Sequence, residues 1–327
     1  MTRTRPQRIL LATALLAIAW RLGWASAGAT PAPGPVYDVI LAGGRIVDGT
    51  GAPWRLGDLA ISGDRIAALG DLRGARARRR IDVRGLAVAP GFIDMLGQSE
   101  YFLLVDGRAA SKVMQGVTTE ITGEGTSIAP LNARMMRDDS TMYAHYHVVP
   151  DWTTLAQYFA RLERAHPAIN LGTFVGAGGV RNYVIGKSDR RATAAELAQM
   201  KALVAQAMEQ GAFGLSTSLQ YVPDRFASTD EIVELARVAA RHGGIYITHQ
   251  RSEGDRILAS LDEVFTIAAR AHIPAEIYHL KTAFRPNWGE MPEVLRRIEA
   301  ARARGLDVTA NQYPYTRAAN TQKCLRR

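Results

Sequence analysis

A single cysteine, Cys324, stands in the 327-residue chain. No intramolecular disulfide is possible, so in an oxidising compartment the fold must be held by packing. There is no short internal repeat and no low-complexity tract, which leaves a packed globular protein rather than a repeat array. The longest apolar run, from Ile9 to Trp20, is too short for a comfortable membrane span. Aromatic residues are also absent from the basic cluster Arg76, Arg78, Arg79 and Arg80. With no reading motif beside it, that cluster reads as a solvated loop before a strand and not as a nucleic-acid site.

The formal charge is +9, and part of it lies at the N-terminus. Arg3, Arg5, Arg8 and Arg21 precede or flank the apolar run, and Ala25-Ser26-Ala27 supplies a small-x-small cleavage pattern. This order predicts a secretory signal peptide over residues 1–27 and an exported protein, periplasmic or secreted, with no stable membrane span after cleavage. An uncleaved anchor is the alternative. Residues 28–36, rich in Pro and Gly, read as a linker.

With 47% hydrophobic and 22% charged residues, the rest has ordinary globular composition and ample apolar content for a large core. From Tyr37 to Gly85, short strands such as 38–42, 45–48, 59–62 and 65–69 alternate with Gly turns, which predicts a small β-sandwich. After Gly85 strand-like and helical runs alternate. Strands are expected at 86–94, 117–122, 169–176, 214–217, 244–249, 275–279 and 306–311. Between them lie helices such as 193–210, where Thr193 and Glu196 form a capping-box pattern, and 231–242, opened by Ser228 and stopped by Gly243. This alternation predicts an α/β fold, a TIM-like (β/α) barrel over 86–316, with a doubly wound sheet as the alternative. Residues 317–327 read as an unstructured tail.

Two histidines close two of these strands, in Ile245-Tyr-Ile-Thr-His249 and Glu276-Ile-Tyr-His279. A barrel enzyme carries its metal ligands at such carboxyl ends. His145 and His147 also form a His-x-His, but in a connecting segment, and are expected to be surface or packing residues. Glu253 and Asp255, in the turn after His249, are candidates for orienting the ring or capping the next helix.

Several segments, in order, resemble the amidohydrolase superfamily, and within it the D-aminoacylase group of N-acyl-D-amino-acid deacylases. They are Asp38-Val-Ile-Leu-Ala-Gly-Gly-Arg-Ile-Val-Asp-Gly-Thr-Gly51, Val88-Ala-Pro-Gly-Phe-Ile-Asp94, Gly116-Val-Thr-Thr-Glu120, Gly211-Ala-Phe-Gly-Leu-Ser-Thr-Ser-Leu-Gln-Tyr-Val-Pro223, Thr248-His-Gln-Arg-Ser-Glu-Gly-Asp255, His279-Leu-Lys281 and Asp307-Val-Thr-Ala-Asn-Gln-Tyr-Pro-Tyr315. The resemblance runs from about Tyr37 to Thr316.

The departures are equally informative. In the superfamily the Pro-Gly-Phe-Ile-Asp run leads to a His-x-His pair, and here Leu96 and Gln98 stand in those places. Leucine has no lone pair to donate and glutamine is a weak ligand, so that metal position is expected to be empty and Asp94 a structural remnant. The group's metal-binding cysteine aligns with Gly125, and Glu124, one residue earlier, can supply an oxygen instead. The resemblance thus implies one Zn²⁺ held by Glu124, His249 and His279, with a water in the open position. Tyr221 and Lys281 match positions near bound substrate, and Arg251 and Tyr313 are further candidates for binding an anionic group.

The reaction the resemblance implies is hydrolysis of a linear amide C–N bond, in a small-molecule N-acyl amino acid or a related amide, by metal-activated water. The group's proton-shuttling aspartate lies on an eighth barrel strand, and no strand pattern follows Tyr315. No catalytic residue is therefore assigned. The expectation is a C-terminally shortened, weakly stable chain with little or no turnover. The alternatives are a non-catalytic remnant or metal- and ligand-binding module, and a dipeptidase or cyclic amidase of the same superfamily.

Overall fold

The computed structural model describes residues 35–315 and 317. The expected signal peptide, most of the linker, Cys324 and nearly all of the tail lie outside the described residues. The chain divides between Pro90 and Gly91 into two compact units. Among the described residues, no helix is long and apolar enough to cross a membrane.

The first unit is one five-stranded sheet. It contains β1 (Val36–Ile46), β2 (Arg55–Ser62), β3 (Arg65–Gly70), β4 (Arg76–Asp82) and β5 (Ala87–Val88). Gly43-Gly44, expected as a turn between two strands, is instead an irregularity within β1, whose pairing with β2 shifts register between Leu41 and Gly44. Gly43 takes φ +77° there, and its N–H donates to Asp58 Oδ1 at 2.8 Å. Gly63-Asp64 does make the expected turn, leading from β2 back into antiparallel β3. The arginine cluster is itself strand β4, parallel to β1, rather than a loop. Arg76, Arg78, Arg79 and Arg80 are all exposed, Arg79 on the opposite face from the other three, while β1 pairs with their backbone. The run 86–94, expected as one strand, is two: Ala87 and Val88 pair with β1, and Phe92–Asp94 starts the second unit.

The second unit carries parallel strands in strict sequence order: β6 (Phe92–Asp94), β7 (Val117–Thr122), β8 (Asn170–Thr173), β9 (Val175–Gly176), β10 (Gly214–Ser218), β11 (Ile245–His249), β12 (Ala275–Ile277) and β13 (Val308–Ala310). β8 and β9 are one strand line interrupted at Phe174. Phe174 N still donates to Thr122 O of β7, and Phe213 N donates to Thr173 O, both at 3.0 Å. A doubly wound sheet would reverse its order at a switch point. None occurs here, so the barrel reading stands, with β6 and β13 as its edges among the described residues.

The helices are α1 (Phe102–Val105), α2 (Ala110–Val113), α3 (Ala133–Asp138), α4 (Ser140–Tyr146), α5 (Leu155–Ala165), α6 (Ala177–Ile185), α7 (Ala194–Glu209), α8 (Thr229–Arg241), α9 (Ile257–Ala271) and α10 (Met291–Ala303). The capping box expected for α7 is present with both of its bonds. Ser228 caps α8 by accepting from Glu231 N; such a cap is worth about 1 kcal/mol.

Two apolar layers follow from strand alternation. Leu215, Tyr246, Ala275, Ile277 and Val308 pack outward against helix residues such as Val204, Ile232, Leu261 and Ile298. On the other face Ile121, Phe174, Ile247 and Tyr278 form a small separate cluster, joined by Met95 and Leu96. Leu96 is thus a packing residue and Asp94 is tied to Lys112 at 2.6 Å; both agree with the absence of a ligand pair there.

Arg181 of α6 is 1% exposed, and its Nη1 lies 2.7 Å from both carboxylate oxygens of Glu231 in α8. Removing one member strands a buried charge, which costs about 3–5 kcal/mol. We expect Glu231→Ala to lower the urea unfolding free energy by that order; an unchanged midpoint would show that the pair does not hold these helices.

Candidate metal centre

Glu124 sits in the turn after β7 between Gly123 (φ +94°) and Gly125 (φ +64°). Both glycines are required. A Cβ on Gly123 would lie 2.5 Å from Phe174 O, and one on Gly125 would lie 2.3 Å from Ser218 Cβ. Ser216 Oγ of β10 clasps the turn, donating to Gly123 O and accepting from Gly125 N. Asp224 packs beneath it and accepts from Ser218 N at 2.6 Å. Burial pushes the Asp224 carboxyl up to about 7, against the lowering effect of that N–H. The residue that aligns with the group's cysteine therefore has neither room nor backbone geometry for a side chain.

His249 ends β11 and shares the inward face with Ile247. His279 lies just past β12 in a left-handed conformation, φ +38°. That conformation is unfavourable for a residue with a Cβ, and Asn311, after β13, holds it. Asn311 Oδ1 accepts from His279 N at 2.7 Å, while Asn311 Nδ2 donates to Glu276 Oε1 at 2.6 Å.

The three side chains converge. Glu124 Oε1 lies 2.9 Å from His249 Nδ1 and 3.3 Å from His279 Nε2. Their ligand atoms all fall within 4.8 Å of one another, the one such cluster of three or more among the described residues. Gln98 donates to Glu124 Oε2 at 3.2 Å. Glu253 Oε1 lies 3.0 Å from His279 Nδ1 and 2.5 Å from Lys281 Nζ. Glu253 therefore orients His279 more closely than His249, whose Nε2 lies 3.9 Å from Glu253 Oε2. Asp255 is exposed and takes no such part.

The electrostatics follow from this chain of contacts. Burial opposes ionisation of Glu124, but the bonds from both histidines outweigh it and bring its carboxyl to about 2. Burial works against protonation of His279, yet Glu124 and Glu253 raise it to about 9. Glu253 is held below the usual carboxylate range: burial opposes this, and His279, His249 and Lys281 prevail. At neutral pH, then, His279 is an imidazolium donating to two carboxylates.

The substrate-side candidates are placed unevenly. The Tyr221 ring stands edge-on to His249 at 5.1 Å. Lys281 Nζ lies 5.5 Å from the centre of the Tyr313 ring. Lys281, Tyr313 and Glu253 line a cavity of about 520 Å³. Arg251, expected as an anion binder, lines the same cavity with its guanidinium already bonded within the chain. Its Nε and Nη2 donate to Glu263, and Nη1 and Nη2 to the carbonyls of Arg225 and Ala227. It braces the turn after β11. His145 and His147 are exposed, in and just after α4. Sequence reasoning assigned no role to Ser216, Asp224 or Asn311; the one signal was that Ser216 and Asn311 fall inside family-like segments.

No family model matches the chain. It is 41% identical over 291 residues to a D-aminoacylase of Alcaligenes xylosoxydans xylosoxydans, covering 88% of this chain and 59% of that protein. Its close homologues are D-aminoacylase and the N-acyl-D-amino-acid deacylases. A crystal structure of D-aminoacylase superposes with TM-score 0.79 at 41% identity, over 85% of this chain and 59% of that one. An N-acyl-D-glutamate deacylase from Bordetella bronchiseptica, solved with zinc and a phosphonate inhibitor, gives the same TM-score at 34% identity, over 86% and 59%. The chain spans about three-fifths of the length of the deacylases it matches.

Two outcomes are expected. A metal held through His279 would displace its proton, so apparent metal affinity should then rise by about tenfold per pH unit up to about 9. Titration calorimetry in buffers of different ionisation enthalpy should show close to one proton released at pH 7; none released would mean His279 is not displaced. Gly125→Ala forces a Cβ into Ser218 at positive φ. It should cost at least about 1–2 kcal/mol of stability and weaken metal binding; a variant unchanged in both would refute the backbone requirement.

Proposed function

We propose that this chain carries the metal-binding and substrate-facing part of a hydrolase of linear amides that acts on N-acyl-D-amino acids, with one zinc ion held by Glu124, His249 and His279. The observation that carries this reading is the convergence of a carboxylate and two imidazoles from the ends of β7, β11 and β12. The residues fit a divalent cation. One carboxylate and two imidazoles are a common catalytic zinc set, and His249 Nε2 is buried with no hydrogen-bond partner among the described residues. Glu253 accepts from the far nitrogen of His279, as a carboxylate orienting a metal-bound imidazole does. The close homologues add weight, since one was solved with zinc and a mimic of the tetrahedral intermediate. The N-terminal arginine, apolar and small-residue order supports export to the periplasm or beyond.

Zinc, when bound, supplies Lewis acidity and a nucleophilic water near neutral pH. The rest falls to the chain. Lys281 presents an ammonium at the cavity and Tyr313 lies beside it, so the carboxylate of an amino acid is drawn to that side. The Tyr221 ring packs on His249 and limits where its imidazole can turn. Glu253 carries the Lys281 charge on one side and the His279 proton on the other, which fixes both groups.

The test is metal content with turnover. We expect about one zinc per wild-type chain, lost in Glu124→Ala, and hydrolysis of N-acyl-D-amino acids in preference to their L-enantiomers that chelation abolishes and zinc restores. Full zinc retention by Glu124→Ala would overturn the ligand assignment; an L preference would overturn the substrate class.

A further inference from the structure

A second cavity, of about 420 Å³, opens onto Glu124 from the side of Gln98. Its walls differ in kind from those around Lys281. Phe102, Leu131, Met135, Met142 and Tyr146 line it, and no lysine or arginine among the described residues does. The wall is pre-formed. Tyr146 stacks on Tyr101 at 6.0 Å with planes 4° apart and meets Phe102 edge-on at 4.9 Å, while Met135 is 2% exposed. Asn132 caps α3 beneath Met135.

Charge decides how an N-acyl amino acid would lie across the centre. Its carboxylate belongs on the side of Lys281, because among the described residues the ionisable groups at the second cavity, apart from tyrosines, are acidic: Glu100, Glu124 and Asp139. The amino-acid half, with its side chain, therefore lies toward Lys281. The acyl half, across the scissile amide, points the other way.

We propose that this cavity is the acyl-chain pocket and that it takes an extended aliphatic or aromatic acyl group rather than acetyl. This rests on the deacylase reading above and adds the identity of the acyl group to it. The size of the cavity carries the preference. It has room for on the order of ten waters, and the methyl of an acetyl group displaces about one. A longer chain replaces the remainder with apolar contact, and each buried methylene strengthens binding several-fold.

The test uses the full chain loaded with zinc and two ligands that resist hydrolysis, N-methanesulfonyl-D-leucine and N-hexanesulfonyl-D-leucine, with affinities read by calorimetry. We expect the hexane compound to bind at least about tenfold more tightly, below the limit for five fully buried methylenes. Met142→Trp, which fills the cavity, and Met142→Lys, which charges it, should each cut that ratio to under about threefold, with folding checked by circular dichroism. Equal affinities in the wild type with zinc bound would overturn the pocket assignment alone. A chain-length preference without zinc binding would overturn the hydrolase reading alone, and loss of both would overturn both.

Discussion

One carboxylate oxygen organises the site. Glu124 Oε1 is within 3.3 Å of two imidazole nitrogens that arrive from different strands. A buried carboxylate is costly unless its lone pairs are met by good partners. Here the two imidazoles and the Gln98 amide meet them, and the carboxyl stays ionised. Each partner has to be delivered by its own strand end, so the register of β7, β11 and β12 is bound to the position of one atom.

That demand explains the irregular backbone around it. Side chains on a regular parallel sheet point to one face or the other, and neither direction brings Glu124 and His279 to a common point with His249. The chain leaves regular structure at both places: through a pair of positive-φ glycines around Glu124 and a left-handed residue at His279. Backbone strain of this kind persists only where the surroundings over-determine it. Ser216 and Asn311 do so, through hydrogen bonds that reach across from other strands, Ser216 from β10 and Asn311 from the end of β13. The outward faces of β10 to β13 carry apolar residues such as Leu215, Tyr246, Ile277 and Val308 that pack on the helices, so the turn after β12 rests on a packed layer.

The legible parts of this arrangement are those with short-range signatures. Strand and helix alternation gave the barrel order, Thr193 with Glu196 gave a cap, and His249 and His279 stood out at the ends of β-rich runs. The parts that could not be read depend on pairing across the sheet. Nothing local distinguishes the arginine run 76–80 from a loop; it is a strand because β1 offers it a parallel edge. Gly43-Gly44 has turn composition, yet Asp58 from β2 holds Gly43 inside a strand. Arg251 looks available in sequence, and Glu263, a full turn into α9, takes its guanidinium. Asn311 is a polar residue like many others until β13 is laid beside β12.

The substitution of a glutamate for the thiolate position follows from the same geometry. Gly125 has no space for a Cβ, so a ligand at that residue is excluded in this backbone. Moving the donor back by one residue would normally swing it to the opposite face, but the positive φ values on either side of Glu124 break the alternation and return it to the same point. A glutamate is also long enough to span the distance that the shift leaves, where an aspartate would fall short by a methylene. Gln98 completes the change. It stands where a histidine ligand would stand in the wider superfamily, and its amide donates to Glu124 Oε2, the oxygen that faces away from both histidines. The charge count is balanced as it stands: two carboxylates, Glu124 and Glu253, face one imidazolium and one ammonium, and a divalent cation in place of the His279 proton would leave the cluster one unit more positive.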